Sequence, residues 1–435
     1  MITAEYTVPG IHVRDHQVPV PLDWSTPNST EGITLFAREL VAPHQRNETL
    51  PCLLYLQGGP GGKGPRPLDT SGWLGPALKR YRVILMDQRG TGRSSRIEGG
   101  QMARFGSPEL AAQYLMHFRA DSIVTDAEHL RRTVFGDEPW STLGQSYGGF
   151  LTLTYLSQAP EGLKSCFVTG GLASLHPDAR EVYRRTFPRV EAKNRLFYER
   201  YPHHIETVAN IADTLNESDV FLPDGDKLSV RRFQALGLDF GMQQGFERMN
   251  WLLDEAVDYS DHPGRFPASF LNQVMHRTSF GDNPLFAVMQ ESIYGHGVAP
   301  STGWAAGQEL GEHPQFDERQ RPLLFTGEMI FPWMFNDIKA LQPFAGAAEI
   351  LATKPEWSTL YDLDRLASND VPVAAAIYFN DMYVDASLSL RTAHEVGSMH
   401  AWVTSEFEHD GVSNARVFQH LSQLLSSTGK GVSLD

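Results

Sequence analysis

Trp140-Ser141-Thr142-Leu143-Gly144-Gln145-Ser146-Tyr147-Gly148-Gly149-Phe150 is the stretch that decides the fold. It contains Gly-x-Ser-x-Gly, with a β-prone run before it and an apolar helical run after it that extends to Gln158. A strand feeding a helix through so tight a turn forces the central Ser146 into a strained backbone conformation, and the flanking glycines let neighbouring backbone pass without clash. The hydroxyl then points out of the sheet. A serine alcohol is a poor nucleophile at neutral pH and needs a base beside it. Such a serine calls for a histidine, a carboxylate to orient it, and backbone donors for an oxyanion.

Outward from this turn, four earlier segments have strand character: Ile11 to Val20, Gly32 to Val41, Cys52 to Leu56 and Val83 to Met86. The first two predict an antiparallel ribbon. The next two are short apolar runs bounded by turns, as expected of strands buried on both faces. Asp121 to Phe135 has helical periodicity, with Ile123, Ala127, Leu130 and Val134 on one face. Ser165 to Thr169 follows the nucleophile helix as another strand. From about Pro177 the pattern turns helical, with long interrupted stretches at Val190 to Leu215 and Leu228 to Val257. Strand character returns at Val371 to Phe379 and Met399 to Phe407, and Arg416 to Ser426 predicts a closing helix. The expectation is an α/β architecture: a mostly parallel eight-stranded sheet flanked by helices, with a large helical cap inserted before the acid strand. Residues 1–176 and 356–435 would form the catalytic domain and 177–355 the cap.

In this architecture the chain order is serine, acid, histidine. Phe379-Asn380-Asp381-Met382-Tyr383 places Asp381 after the strand that follows the insert, and Phe407-Glu408-His409-Asp410-Gly411 places His409 after the last strand. Asp385, one turn further on, is the rival acid. Asp410 adjoins His409, but adjacent residues in a loop seldom face each other usefully. His400 is the rival base, early in the last strand and so at the wrong end of the sheet. Gln57-Gly58-Gly59-Pro60-Gly61-Gly62 follows the third predicted strand, where oxyanion donors belong. The Gly59 amide, within one residue, and the Tyr147 amide are the expected donors.

The same loop with Lys63 is not a phosphate loop. Gln57 stands where the first glycine should be, and Gly64 replaces the Ser/Thr that would hold Mg²⁺. There is no His-Glu-x-x-His or Cys-x-x-Cys, and neither His203-His204 nor His394 with His400 has ligand spacing, so no metal or other cofactor is expected. A formal charge of −15 argues against nucleic acid or an anionic membrane as partner. The N-terminus lacks a basic and an apolar signal region, and no apolar run reaches spanning length, so a cytoplasmic location is expected. The two cysteines, Cys52 and Cys166, fit buried thiols in a reducing compartment.

The chain resembles the longer form of the prolyl aminopeptidase (proline iminopeptidase) family of α/β-hydrolases. The resemblance rests on Gln57-Gly58-Gly59-Pro60-Gly61, Asp87-Gln88-Arg89-Gly90-Thr91-Gly92-Arg93-Ser94, Gly144 to Phe150, Asp381-Met382-Tyr383-Val384 and Glu408-His409-Asp410-Gly411. It implies removal of N-terminal proline from small peptides, with cap glutamates meeting the substrate nitrogen. Two cap segments look similar to the family's: Phe325 to Phe335, giving Glu328, and Gln290 to Tyr294, giving Glu291. For both glutamates a solvated helix-face charge is the alternative. Phe331, Trp333 and Tyr294 are candidate walls for a pyrrolidine slot, set against a plain core role. Asp87 to Arg93 is read as a structural brace, with Arg89 tying down a carboxylate or carbonyls. Other readings of the same site are an aminopeptidase of different specificity, a carboxylesterase, and a non-catalytic ligand receptor.

Overall fold

Nine strands form one sheet, in the spatial order β1-β2-β3-β5-β4-β6-β7-β8-β9. They are β1 Ile2–Val8, β2 Ile11–Pro21, β3 Gly32–Val41, β4 Cys52–Leu56, β5 Arg82–Asp87, β6 Trp140–Gln145, β7 Leu163–Thr169, β8 Val373–Tyr378 and β9 Met399–Thr404. The structure is a computed structural model and describes residues 1–256, 266–298, 300–427 and 429. β1, β2 and β3 run antiparallel to their neighbours, and β5, β4, β6, β7, β8 and β9 are parallel.

The sequence predicts eight strands, and β1 is the ninth. It pairs only with β2 at the sheet's edge and buries none of its residues, so it carries no apolar signature. The central strands read as continuous apolar runs because both faces are covered. Leu54, Leu56, Ile84 and Met86 pack with the helices Ala120–Leu130 and Tyr147–Gln158. Leu53, Tyr55, Val83 and Leu85 face the other way, into a core with Leu74, Phe418 and Leu421. The predicted helix 121–135 begins at Ala120 and finishes in a π-helical turn, Arg131–Phe135. Cys52 and Cys166 are free thiols, and burial pushes them up to about 11 and about 12, away from the reactive thiolate.

The β7-to-β8 connection is helical, and no described residue in it joins the sheet. Val190 to Leu215 divides into Ala179–Arg200 and His204–Glu217, separated at Tyr201-Pro202-His203. Leu228 to Val257 becomes short pieces at Val230–Gln234, Ala235–Gly241 and Gly245–Asp254. Val257 lies outside the described residues. The insertion's apolar residues, Phe187, Phe197, Phe233, Phe240 and Phe325 among them, pack in one cluster that also takes in Leu115 and Phe118 of the β5-to-β6 connection and Met382 and Tyr383 after β8.

Strand order positions the site. From β4 the chain crosses to β5 on one side and then to β6 on the other. The loops after β4 and β6 therefore leave side by side from a topological switch point, where open parallel sheets place their ligands.

Candidate active site

Ser146 has φ 55° and ψ −124°, the strained conformation expected of it. Close packing explains the glycines around it. A Cβ on Gly148 would lie 1.9 Å from the Leu56 carbonyl oxygen, and one on Gly144 would lie 2.3 Å from the Gly148 oxygen. The Ser146 amide donates to Thr169 O at 3.0 Å, which fixes the turn to the end of β7. Tyr147 opens the helix Tyr147–Gln158, so its N–H has no intrahelical acceptor.

The register Leu56↔Gly144 carries the loop after β4 against the serine. A Cβ on Gly58 would sit 3.0 Å from Ser146 Cβ, and Gly59 has φ 130°. The loop is held from below. Gln88 Nε2 donates to Gln57 O at 2.8 Å, and Asp87 accepts from the Gly64 and Arg93 amides and from both ends of the Arg66 guanidinium. Arg89 is fully buried. It grips Asp126 through Nε and Nη2 at 2.7 and 2.6 Å and donates to the carbonyls of Pro21, Leu22 and His117. This is the brace read from the sequence.

β8 and β9 end side by side, with Phe379 N bonded to Thr404 O at 2.9 Å. Asp381 follows β8 and is 1% exposed. Its Oδ1 accepts from the Tyr383 and Val384 amides at 2.8 and 3.1 Å, which leaves Oδ2 to meet His409 Nδ1 at 2.6 Å. The rival Asp385 is used elsewhere. It caps the helix Ala386–Glu395 through the Ser387 and Leu388 amides and pairs with Arg189. His400 lies near the start of β9, paired with Ala374, and Asp410 Oδ1 accepts from the Gln243 amide at 2.8 Å.

Ser146 and His409 converge on the turn after β7. A Cβ on Gly171 would fall 2.2 Å from the Ser146 carbonyl oxygen, and one on Gly170 would fall 3.2 Å from His409 Nδ1. Among the described residues no hydrogen bond joins Ser146 Oγ to the ring. With Nδ1 taken by Asp381, Nε2 is the nitrogen left for a proton. Burial opposes charge on the imidazole, but the Asp381 charge and hydrogen bond outweigh it, so the His409 pKa is raised.

Glu328 lies within electrostatic reach of this pair. By surface area it is partly accessible, yet it sits deep in the molecule, and desolvation pushes it up to about 7. His409 pulls the other way, Asp381 adds to the rise, and the Gln290 side chain beside it favours the ionised form. Its segment is irregular and pinned by the buried Asn194 side chain and the Gln234 backbone carbonyl. Asn194 brackets Phe325 at N and O, and Gln234 O accepts from the Thr326 amide. Glu291 is also pushed up to about 7 by burial, but its oxygens are engaged. They accept from the Ala305 and Ala306 amides at 3.0 and 2.9 Å, at the start of the helix Ala305–Leu310.

Tyr294 and Tyr183 both feel the two glutamates, so the four groups form one cluster. The Tyr183 hydroxyl and Gln290 Oε1 are buried without a partner. Sequence reading misses both residues, because a tyrosine inside a helix and a glutamine just after one give no local sign that tertiary packing leaves them unpaired. Of the candidate slot walls, Tyr294 packs against Phe150 of the nucleophile helix. Phe331 stacks on Trp333, whose face carries the Arg231 guanidinium.

A serine on a strained strand-to-helix turn at a switch point, with an Asp–His pair on adjoining strand ends, defines an α/β-hydrolase. The family model for the alpha/beta hydrolase fold matches residues 51–215. A proline iminopeptidase of Aeromonas sobria is 45% identical over 408 residues, covering 94% of each chain. A proline iminopeptidase of Aspergillus aculeatus is 34% identical over 403 residues, covering 90% of this chain and 88% of its own. The chain belongs to the proline iminopeptidase family.

Proposed function

We propose that the protein is a serine exopeptidase that releases N-terminal proline from small peptides. The observation that carries this reading is Glu328, which lies deep in the molecule within electrostatic reach of the His409–Asp381 pair. A substrate ammonium entering such a site loses its hydration, and a buried charge is tolerated only when paired. Glu328 is the group to pair it. Glu291, with both oxygens held by amides, adds negative potential and positions the helix it caps.

Ser146 Oγ attacks the carbonyl carbon of the first residue while His409 Nε2 takes the hydroxyl proton. Asp381 holds the ring and stabilises the imidazolium. The Gly59 and Tyr147 amides receive the oxyanion, and losing one such donor typically costs about 10²–10³ in rate. His409 returns the proton to the leaving nitrogen as the C–N bond breaks. Water, deprotonated by His409, then cleaves the acyl-enzyme and frees proline. The Ser146–His409 hydrogen bond reaches its working length in the substrate complex, where catalytic contacts tighten.

Residues 177–355 act as the cap and exclude long or folded chains, while 1–176 and 356–435 form the catalytic domain. The protein works in the cytoplasm. Among the described residues no helix is long and apolar enough to cross a membrane.

Proline p-nitroanilide, alanine p-nitroanilide and p-nitrophenyl acetate separate the readings. Fastest release from the proline amide is expected. Faster release from the alanine amide points to another aminopeptidase, release from the acetate alone to an esterase, and no release by folded protein to a receptor.

A further inference from the structure

The insertion is fastened to both loops that carry the Asp–His pair. From the helix Ala179–Arg200, Arg189 donates to the Phe379 carbonyl at 2.9 Å, on the Asp381 loop. One turn further along, Lys193 Nζ meets Glu408 Oε1 at 2.5 Å, on the His409 loop. Gly241 O then accepts the His409 amide itself at 3.0 Å. Lys193 is only 6% exposed, and the second oxygen of Glu408 is buried with no partner. The pair is only partly buried, with the Glu408 side chain 26% exposed, and desolvation of the two charges still offsets part of their attraction. Glu408 immediately precedes His409 in the chain, so the pair holds the loop that carries the imidazole.

We propose that Lys193 is a positioning residue for His409: its ion pair with Glu408 seats the base loop on the helix Ala179–Arg200 and neutralises the carboxylate beside the imidazole. The proposal rests on His409 being the general base. Asp381 and the ring of Tyr383 contact the imidazole, and the charges of Glu328 and Asp410 also act on it; Glu408 contacts Lys193 and feels the charges of Asp381 and Asp410. Lys193 is a cation set among carboxylates. Burial raises the Glu408 pKa and the Lys193 charge opposes that rise, so without Lys193 part of the Glu408 charge stands unbalanced against His409. Helix placement and base strength are thereby linked.

The test measures the rate at which a fluorophosphonate labels Ser146 across pH in Lys193→Met, Glu408→Gln and Lys193→Arg. Proline p-nitroanilide supplies kcat and KM alongside. Labelling reports the serine–histidine pair whatever amine the site prefers, so failure of the proline reading is distinguishable from failure of this one. Lys193→Met is expected to slow labelling and lower kcat about tenfold, with KM within about twofold, because a misplaced base costs rate more than binding. Its acid limb should move up by about half a pH unit, and that of Glu408→Gln should move down by a similar amount, since the charge left beside the imidazole has opposite sign in the two. Lys193→Arg should restore the rate to within about threefold. Unmoved acid limbs and near-parental labelling, with only the melting temperature lowered, would overturn the proposal. Should Lys193→Met not fold, the near-isosteric Glu408→Gln decides alone: a downward limb supports the proposal and an unmoved one overturns it.

Discussion

The sheet edge and the helical insertion each bring carboxylates to the same site, but by different means. At the sheet edge, Asp381 is held by two backbone amides and by His409, within three residues of the end of β8. Its direction follows from register and turn. In the insertion, Glu328 stands on an irregular segment fixed by Asn194 and Gln234, and burial rather than an amide cradle sets its charge. Backbone geometry places Asp381 against His409, while burial sets the charge of Glu328. The two regions should therefore respond differently to substitution.

The largest effect separates two aspartates four residues apart. Asp381→Asn should lower kcat by about 10⁴, because the imidazole loses its orientation and its counter-charge. Asp385→Ala should leave kcat within about threefold and instead remove about 1 kcal/mol of stability through the lost helix cap. Stopped assays and denaturant melts on both variants check the contrast. Equal kinetic losses would erase it.

Next comes a contrast within the insertion. Glu328→Gln should reduce kcat/KM for a free-amine substrate by about 10² while sparing p-nitrophenyl acetate to within about threefold, since only the former leaves a buried ammonium unpaired. Glu291→Gln should cost less on the same substrate and more in melting temperature, because its oxygens serve the Ala305 and Ala306 amides. Equal losses on amine and ester would refute the pairing role of Glu328.

A pH series sharpens the same point. Glu328 moves from an ordinary 4.5 to about 7 on folding, so the folded chain holds this proton where the unfolded chain has released it. The resulting stability is full below about 4.5 and is lost as pH rises through about 7. Glu328→Gln should therefore raise the melting temperature at pH 8 relative to the parent more than at pH 4. On the proposed mechanism activity runs the opposite way, because Glu328 and His409 both act in their deprotonated forms. In Glu328→Gln the ester-hydrolysis acid limb should shift down by about half a unit, as a negative charge facing His409 is gone.

What the sequence reveals follows the same division. The elbow at Ser146, the loops at Gly58 and Asp87, and the Asp381–His409 pairing are legible because each is a local pattern attached to a strand end. β3 and β4 have the bounds their apolar runs predict, since burial on one or both faces writes itself into the residues. β1 leaves no such mark, being an edge strand with nothing buried. The insertion is legible only as helical. Pro202 and Gly241 mark its breaks locally, whereas the difference between Glu291, whose oxygens meet the start of a helix, and Glu328, whose charge acts on the imidazole, comes from packing. Tyr183, Gln290 and the Lys193–Glu408 pair acquire meaning only from neighbours distant in the chain.

On the proposed mechanism Ser146 is a nucleophile activated by the Asp381-oriented His409. Peptide mass spectrometry after brief exposure to a fluorophosphonate at pH 8 tests it most directly. A single adduct on Ser146, formed rapidly in the parent and at least about 10³-fold more slowly in His409→Ala, is the expected result. An adduct on another serine, or undiminished labelling of Ser146 without His409, would contradict it.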